Sequence, residues 1–168
     1  MEIPRITIGK SSNDKIVWYD SVNSHAATHI ADTPQLKHLA AEVISRIELI
    51  DGYNQLHRDL GRIVGKCDLI KNQPGDEIVY AKRINRDEYT VFNKSRLPES
   101  SNDVTVAVEK QDDDTYKLVS TWVGPSDSPS FPGTAQETLA SRTFWNEHSL
   151  AWGTQDIQPG TETVICPW

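Results

Sequence analysis

Cysteine is scarce in this chain. Cys67 and Cys166 are its only two, they lie far apart, and neither belongs to a C-x-x-C pair. That excludes a disulfide-dense scaffold, and it leaves too few thiols at the wrong spacing for a Cys/His zinc site. Two unpaired thiols in a reducing compartment and one disulfide tying down the C-terminus both stay open. Long apolar runs are missing too. No stretch approaches the roughly 20 apolar residues that span a bilayer. Met1 to Lys10 holds no apolar run before a small-residue cleavage site, which predicts no secretory leader and a cytoplasmic protein without a membrane partner. Positive charge is in deficit as well, with 17 Lys and Arg against 24 Asp and Glu and a net charge of −7. Broad electrostatic wrapping of duplex nucleic acid needs the opposite balance. A small basic pocket on an acidic body is still permitted.

Several chemical signatures are also lacking. No G-x-x-x-x-G-K-[ST], G-x-G-x-x-G or G-x-S-x-G occurs, so nucleotide hydrolysis, dinucleotide redox chemistry and α/β-hydrolase chemistry lose their main support. Asp112-Asp-Asp114 lacks the alternating spacing of a calcium loop and reads as a turn. His25 and His29 are four apart and suit one helix face, with His38 further on, but no H-E-x-x-H is present. No metal and no cofactor is expected.

What is present suits a single domain with a real core: 168 residues, 37% hydrophobic. Residues 1–32 read as a strand or extended arm around Lys15-Ile-Val-Trp-Tyr19. Thr33 as N-cap and Pro34 at the first helical position open a helix. Its apolar stripe is Leu36, Leu39, Ala40, Val43, Ile44 and Ile47, and Asp51-Gly52 ends it near Ile50. Leu56, Leu60, Ile63 and Val64 suggest a second helix from Tyr53 to Val64, with Gly65 as its C-cap. The period then changes to two. Ile78–Ile84, Tyr89–Lys94, Val104–Glu109 and Tyr116–Val123 are short β-branched and aromatic runs with hairpin-length breaks, which predicts a four-strand antiparallel meander. A Pro-rich loop follows from Gly124 to Gly133, of the kind that borders sites. The capping-box pattern Thr134-Ala-Gln-Glu137 opens a helix to about Ala151. Thr161 to Trp168 suits a last edge strand. The expected fold class is α+β, with N-terminal helices, the meander, and a C-terminal helix packed on the sheet.

The densest chemical signal is basic. Lys82, Arg83, Arg86, Lys94 and Arg96 crowd the first two meander strands. They fit a solvated hairpin whose cations blunt an edge, and they fit an anion site, most plausibly for phosphate. Alternation puts Val79, Ala81 and Arg83 on one face and Ile78, Tyr80 and Lys82 on the other. Either face turns one cation toward apolar neighbours, and Arg83 is the better inward candidate because guanidinium chelates oxyanions. An acidic partner such as Glu48 or Glu137 serves equally well. The second signal is Ser141, Trp145, His148 and Trp152, at spacings that share one stripe of the last helix. His148 there is a candidate for acid/base work or a satisfied core histidine. His57 sits at the margin of the second helix's stripe and is a boundary residue or its partner. Thr121 and Trp122 end the last meander strand beside the Pro-rich loop.

In layout the chain resembles the barnase–EndoU–colicin–RelE group of small ribonucleases and toxins. The residues that carry the resemblance are Ile78 to Arg83, Tyr89 to Lys94, Thr121-Trp122 and Phe144-Trp-Asn-Glu-His148. It covers about residues 50 to 152. The resemblance implies metal-independent RNA cleavage. His148 would act as base or acid with His57 as counterpart, Lys82, Arg83 and Arg86 would hold the phosphate, and Thr121 would contact it. Trp122, Ser141 and Trp145 would border the substrate. The implied partners are RNA and a cognate inhibitor protein. The competing reading is an acidic immunity or adaptor module that binds a basic protein without catalysis, motivated by the net charge and by Trp18, Tyr19 and Trp168.

Overall fold

The computed structural model describes residues 4–22, 24–125 and 128–168. In chain order these form β1 (Arg5–Lys10), β2 (Ile16–Asp20), α1 (His25–Asp32), α2 (Leu36–Ile44) and β3 (Tyr53–Asp59). Next come β4 (Gly65–Cys67), β5 (Leu69–Lys71), β6 (Ile78–Lys82), β7 (Tyr89–Asn93) and β8 (Glu99–Ser101). The last are β9 (Asp103–Lys110), β10 (Tyr116–Val123), α3 (Leu139–Glu147) and β11 (His148–Ala151). The described chain divides into two compact units, one from Met1–Gly65 with Ser101–Ser126 and the other from Lys66–Ser100 with Asp127–Trp168. No described helix is long and apolar enough to cross a membrane, and no disulfide joins Cys67 to Cys166.

The expected fold is corrected here. The described residues are mostly β, in three sheets with three short helices, and the four-strand meander does not exist. Its runs split into two hairpins that recruit different neighbours. β9 and β10 belong to a sheet of order β1-β2-β10-β9-β3, while β6 and β7 belong to one of order β5-β11-β7-β6. β4 and β8 pair as a ribbon. Run lengths and turn signals identify hairpins, but which edge each hairpin offers to a distant strand is a long-range property.

In the first unit β2 runs parallel to β10, and the other neighbours are antiparallel. Val104, Val106 and Val108 alternate inward along β9 and meet Tyr116, Leu118, Val17 and Tyr19. The helices cover them with Ala26 and Ile30 from α1 and Leu36, Leu39, Ala40, Val43 and Ile44 from α2. Each such aliphatic side chain contributes about 1.5–3 kcal/mol by leaving water. The expected arm therefore holds a hairpin and a helix. Ser24 caps α1 by accepting the Ala27 amide at 3.0 Å. Thr33 closes α1 instead of opening a helix, and its amide binds the His29 carbonyl. The helix expected from Tyr53 to Val64 is strand β3. Tyr53-Asn-Gln-Leu-His-Arg-Asp fits either period, and seven register pairs with β9 decide for the strand.

In the second unit Val79, Ala81, Val91, Phe92, Leu150 and Trp145 form a small core ringed by Phe131, Phe144, Trp152 and Trp168. The expected helix over 134–151 is shorter. It opens at Thr138, whose amide donates to Ser141 Oγ at 3.0 Å. Glu137 instead accepts the Gly133 amide and pairs with Arg142. It ends at Glu147 because His148-Ser-Leu-Ala151 is drawn between β5 and β7 as a central strand with partners on both sides. The tail adds two bridges instead of a full edge strand, Tyr80 to Thr163 and Arg83 to Ile157. Trp168 packs edge-on against Tyr80 at 5.2 Å. Asp76 accepts from Arg96 Nε at 2.7 Å, from Asn93 at 2.9 Å and from the Gln73 amide at 2.8 Å, which fastens the loop before β6 to the end of β7. Those donors, Arg96 foremost, hold its carboxyl at about 2.

Candidate functional site

The basic cluster survives as a local feature of the second unit. Lys82 Nζ lies 5.2 Å from the centre of the Tyr89 ring. Arg83, preferred over Lys82 as the inward cation for its guanidinium, has 21% of its side chain exposed. Its guanidinium lies 5.4 Å over Phe131, its Nε is buried without a partner, and its nearest carboxylate is Glu88 at 3.9 Å. Burial, then the neighbouring Arg86, pulls its affinity for the proton below the usual arginine range, against Glu88 and Asp68. The expected partners Glu48 and Glu137 do not serve it. Arg86 is exposed and lines a cleft of about 480 Å³ with Asp87, Glu88, Ser130, Phe131, Gly133, Thr134, Ala135 and Gln136.

His148 is not helical. Val79 pairs with Phe92, and Phe92 with Leu150. By alternation Arg83 and His148 therefore share one sheet face, two strands apart, roughly 10 Å across. The gap between them is filled by aromatic rings. Phe131 stacks on Trp145 at 4.3 Å, Trp145 meets Phe144 edge-on at 4.9 Å, and Phe144 stacks on His148 at 4.1 Å with ring planes 7° apart. His148 Nδ1 is 3.0 Å from the Phe144 carbonyl. Trp145 Nε1 donates to the Pro129 carbonyl at 2.9 Å, and buried Ser141 is taken up in capping α3. Both side chains are buried and hydrogen-bonded within the second unit. The aromatic row keeps His148 and Arg83 from meeting at one open point.

The remaining expected residues belong to the first unit. His57 stands on β3 opposite Thr105. Thr121 is fully buried, and its hydroxyl donates to the Thr105 carbonyl at 2.8 Å. Trp122 Nε1 donates to the Pro125 carbonyl. Thr121 is thus a buried strand residue with its hydroxyl proton committed.

A different histidine site emerges in that unit. The Ser24 cap starts α1 at His25, and one turn places His29 beside it. Their Nε2 atoms are 2.9 Å apart and the rings meet edge-on at 83°, so one imidazole donates to the other. Burial, then His25, lowers the proton affinity of His29, with Asp32 opposing. His25 lines a cleft of about 430 Å³ with Ser24, Glu109, Gln111, Lys117, Leu118 and Val119. Lys117 and Glu109 are cross-strand partners and share a sheet face. The register of β10 slips between Leu118 and Ser120, so a bulge at Val119 borders the cleft. Among the described residues Lys117 makes no ion pair.

Comparison of the chain with family models, curated proteins and solved structures finds no match. The functional argument therefore rests on geometry. Among the described residues no three His, Cys, Asp or Glu side chains gather to hold a metal ion. The sequence does signal the histidine pair through the 25/29 spacing. What hides it is α1 itself, because His25-Ala-Ala-Thr-His-Ile lies in a stretch that reads as an extended arm and gains its helix from packing on β10 and β2.

Proposed function

We propose that the first unit cleaves RNA by metal-independent acid/base catalysis at the His25–His29 cleft. The observation that carries the reading is the pair of imidazoles in mutual hydrogen-bond contact, one of them lining a cleft that also holds the Lys117 ammonium, which makes no ion pair among the described residues. RNA brings its own nucleophile, so a base and a cation suffice. His25 takes the proton of the ribose 2′-hydroxyl, and the 2′-oxygen attacks the adjacent phosphorus. His29 accepts a hydrogen bond from the imidazolium so formed and spreads its charge. Lys117 neutralises the phosphorane as negative charge develops. The bond from phosphorus to the 5′-oxygen then breaks, and that oxygen takes a proton from the Lys117 ammonium; solvent reprotonates the amine and takes the proton from the His25 imidazolium. His29 suits the partner's role because burial keeps it neutral near physiological pH, with a lone pair to offer. The volume of about 430 Å³ lies in the range of small-ligand sites and suits about one nucleotide.

The test is incubation of the full chain with a single-stranded RNA in excess EDTA. Cleavage with 2′,3′-cyclic phosphate ends, abolished by His25→Ala or His29→Ala, is the expected result. Intact RNA, or equal cleavage by both variants, defeats the proposal. The acidic surface favours a second reading, a module that binds a basic protein. That reading predicts a stoichiometric complex weakened by salt, with no cleavage.

A further inference from the structure

The histidine pair of the first unit has the geometry of a metal bite. The Ser24 hydroxyl accepts the Ala27 amide at 3.0 Å and donates to the Asp20 carbonyl at 2.6 Å, so the first turn of α1 is tied to the end of β2. Ala26 and Ile30 anchor the helix in the core. His25 and His29, four residues apart, therefore stand one above the other on a held helix. Their Nε2 atoms approach to 2.9 Å, with ring centres 4.4 Å apart. A bond from a metal to an imidazole nitrogen is about 2.0–2.1 Å long, so two such nitrogens stand about 2.9 Å apart across a right angle and about 3.3 Å apart across a tetrahedral one. The observed separation matches the right angle of a tetragonal site, the geometry of copper(II) and nickel(II). Ligand histidines must be neutral, and burial, with the neighbouring His25, favours that form of His29. The donating ring needs only to carry its proton on Nδ1 for both Nε2 lone pairs to face one ion. Asp32, close enough to act on His29, and Glu109, which lines the cleft beside His25, bring negative charge that opposes Lys117. Among the described residues no third ligand joins the two, so solvent completes the shell.

We propose that His25 and His29 bind one late first-row divalent cation, copper(II) above all, through both Nε2 atoms, with water in the remaining positions. Nitrogen sites of this kind hold copper(II) more tightly than nickel(II) or zinc(II), and manganese(II) least. Two fixed nitrogens also hold an ion far better than one, because the second bond forms within the same molecule. A bound ion occupies the lone pairs that the proposed cleavage uses, so metal and acid/base work exclude each other at this pair. That exclusion rests on the cleavage reading; the binding itself does not.

The test is titration of the full chain at neutral pH with copper(II), nickel(II), zinc(II) and manganese(II) chlorides, after EDTA has stripped it of metal and dialysis has removed the EDTA, with no RNA present. The chain carries Cys166→Ser, which removes an exposed thiol that reduces copper(II). Calorimetry gives the affinities, and electron paramagnetic resonance counts the nitrogens on copper. The expected result is copper bound at least tenfold tighter than nickel, manganese weaker still, and couplings from two imidazole nitrogens. His25→Ala and His29→Ala each lower the copper affinity at least tenfold and lose the two-nitrogen pattern. Alanine is the best helix former and His25 is exposed, so the His25→Ala chain keeps its fold. Unchanged copper affinity in both variants overturns the site, as does manganese binding as tightly as copper, or a spectrum without two imidazole nitrogens. Copper binding by a chain that leaves RNA intact supports the site and defeats only the cleavage reading. Cleavage in EDTA by a chain that binds no copper does the reverse.

Discussion

In the second unit His148 has one nitrogen against the Phe144 carbonyl and its ring flat on the Phe144 ring, inside a row of aromatic side chains. In the first unit His25 and His29 have each other, and His25 faces a cleft. The residue type is the same, and the surroundings are opposite in kind. A ring stacked face-on and bound to a backbone carbonyl is part of the packing, and moving it costs contacts. A ring whose neighbour is another titratable ring at a cleft passes a proton with little rearrangement. The units differ in the same sense. The first is built on aliphatic side chains between a sheet and two helices, and it leaves polar groups at one margin. The second has a smaller core and spends its aromatic residues filling the sheet face that carries Arg83 and His148.

Substitutions break or sharpen this contrast. The largest expected effect is His25→Ala, which lowers RNA cleavage by about 10²–10⁴-fold, the usual worth of a positioned acid or base. His148→Ala leaves the cleavage rate unchanged, so equal losses in the two variants erase the distinction. Trp145→Ala removes the centre of the aromatic row and costs about 3–5 kcal/mol in denaturant unfolding, while a change at an exposed position such as Lys10→Ala is neutral. Lys117→Ala slows cleavage by about 10²-fold, seen chiefly in kcat if the ammonium acts on the transition state.

Two smaller effects are read against pH. Burial and His25 both favour neutral His29, so the His29 ring takes up its proton below the ordinary histidine value of 6.5, which an NMR titration of that ring reads directly. A His29 midpoint above 6.5 contradicts the geometry of the pair. Asp76, held at about 2 against an ordinary 3.8, binds its proton less readily folded than unfolded. Its contribution to stability is present above about 3.8 and is lost as pH falls toward 2. Asp76→Asn removes that acid-side loss, which unfolding midpoints across this range detect.

The local signals most legible in the sequence were those of period two. The runs at 78–84, 89–94, 104–109 and 116–123 contain strands, and one of the two cations that alternation could turn inward, Arg83, is half-buried. Partner choice was not legible. Tyr53–Asp59 and His148–Ala151 carry patterns that a helix also accepts, and each became a strand because an open edge or gap supplied hydrogen bonds from residues about 50 to 80 positions away. The surroundings of the candidate residues were hidden for the same reason. His148, Trp145 and Ser141 shared a stripe only while the helix continued, and Thr121 was available only while its strand end lay open.

By itself the sequence determined the strand periods, the need for one inward cation at Lys82 or Arg83, the spacing of His25 and His29, and the shortage of positive charge. These are properties of neighbours along the chain, where alternation, capping and composition act over a few residues. The tertiary structure alone decided that two hairpins serve two sheets, that an aromatic row separates Arg83 from His148, and that the first histidine pair closes on itself beside Lys117. Those outcomes depend on which surfaces meet after hundreds of weak contacts are summed, and no local pattern encodes that sum.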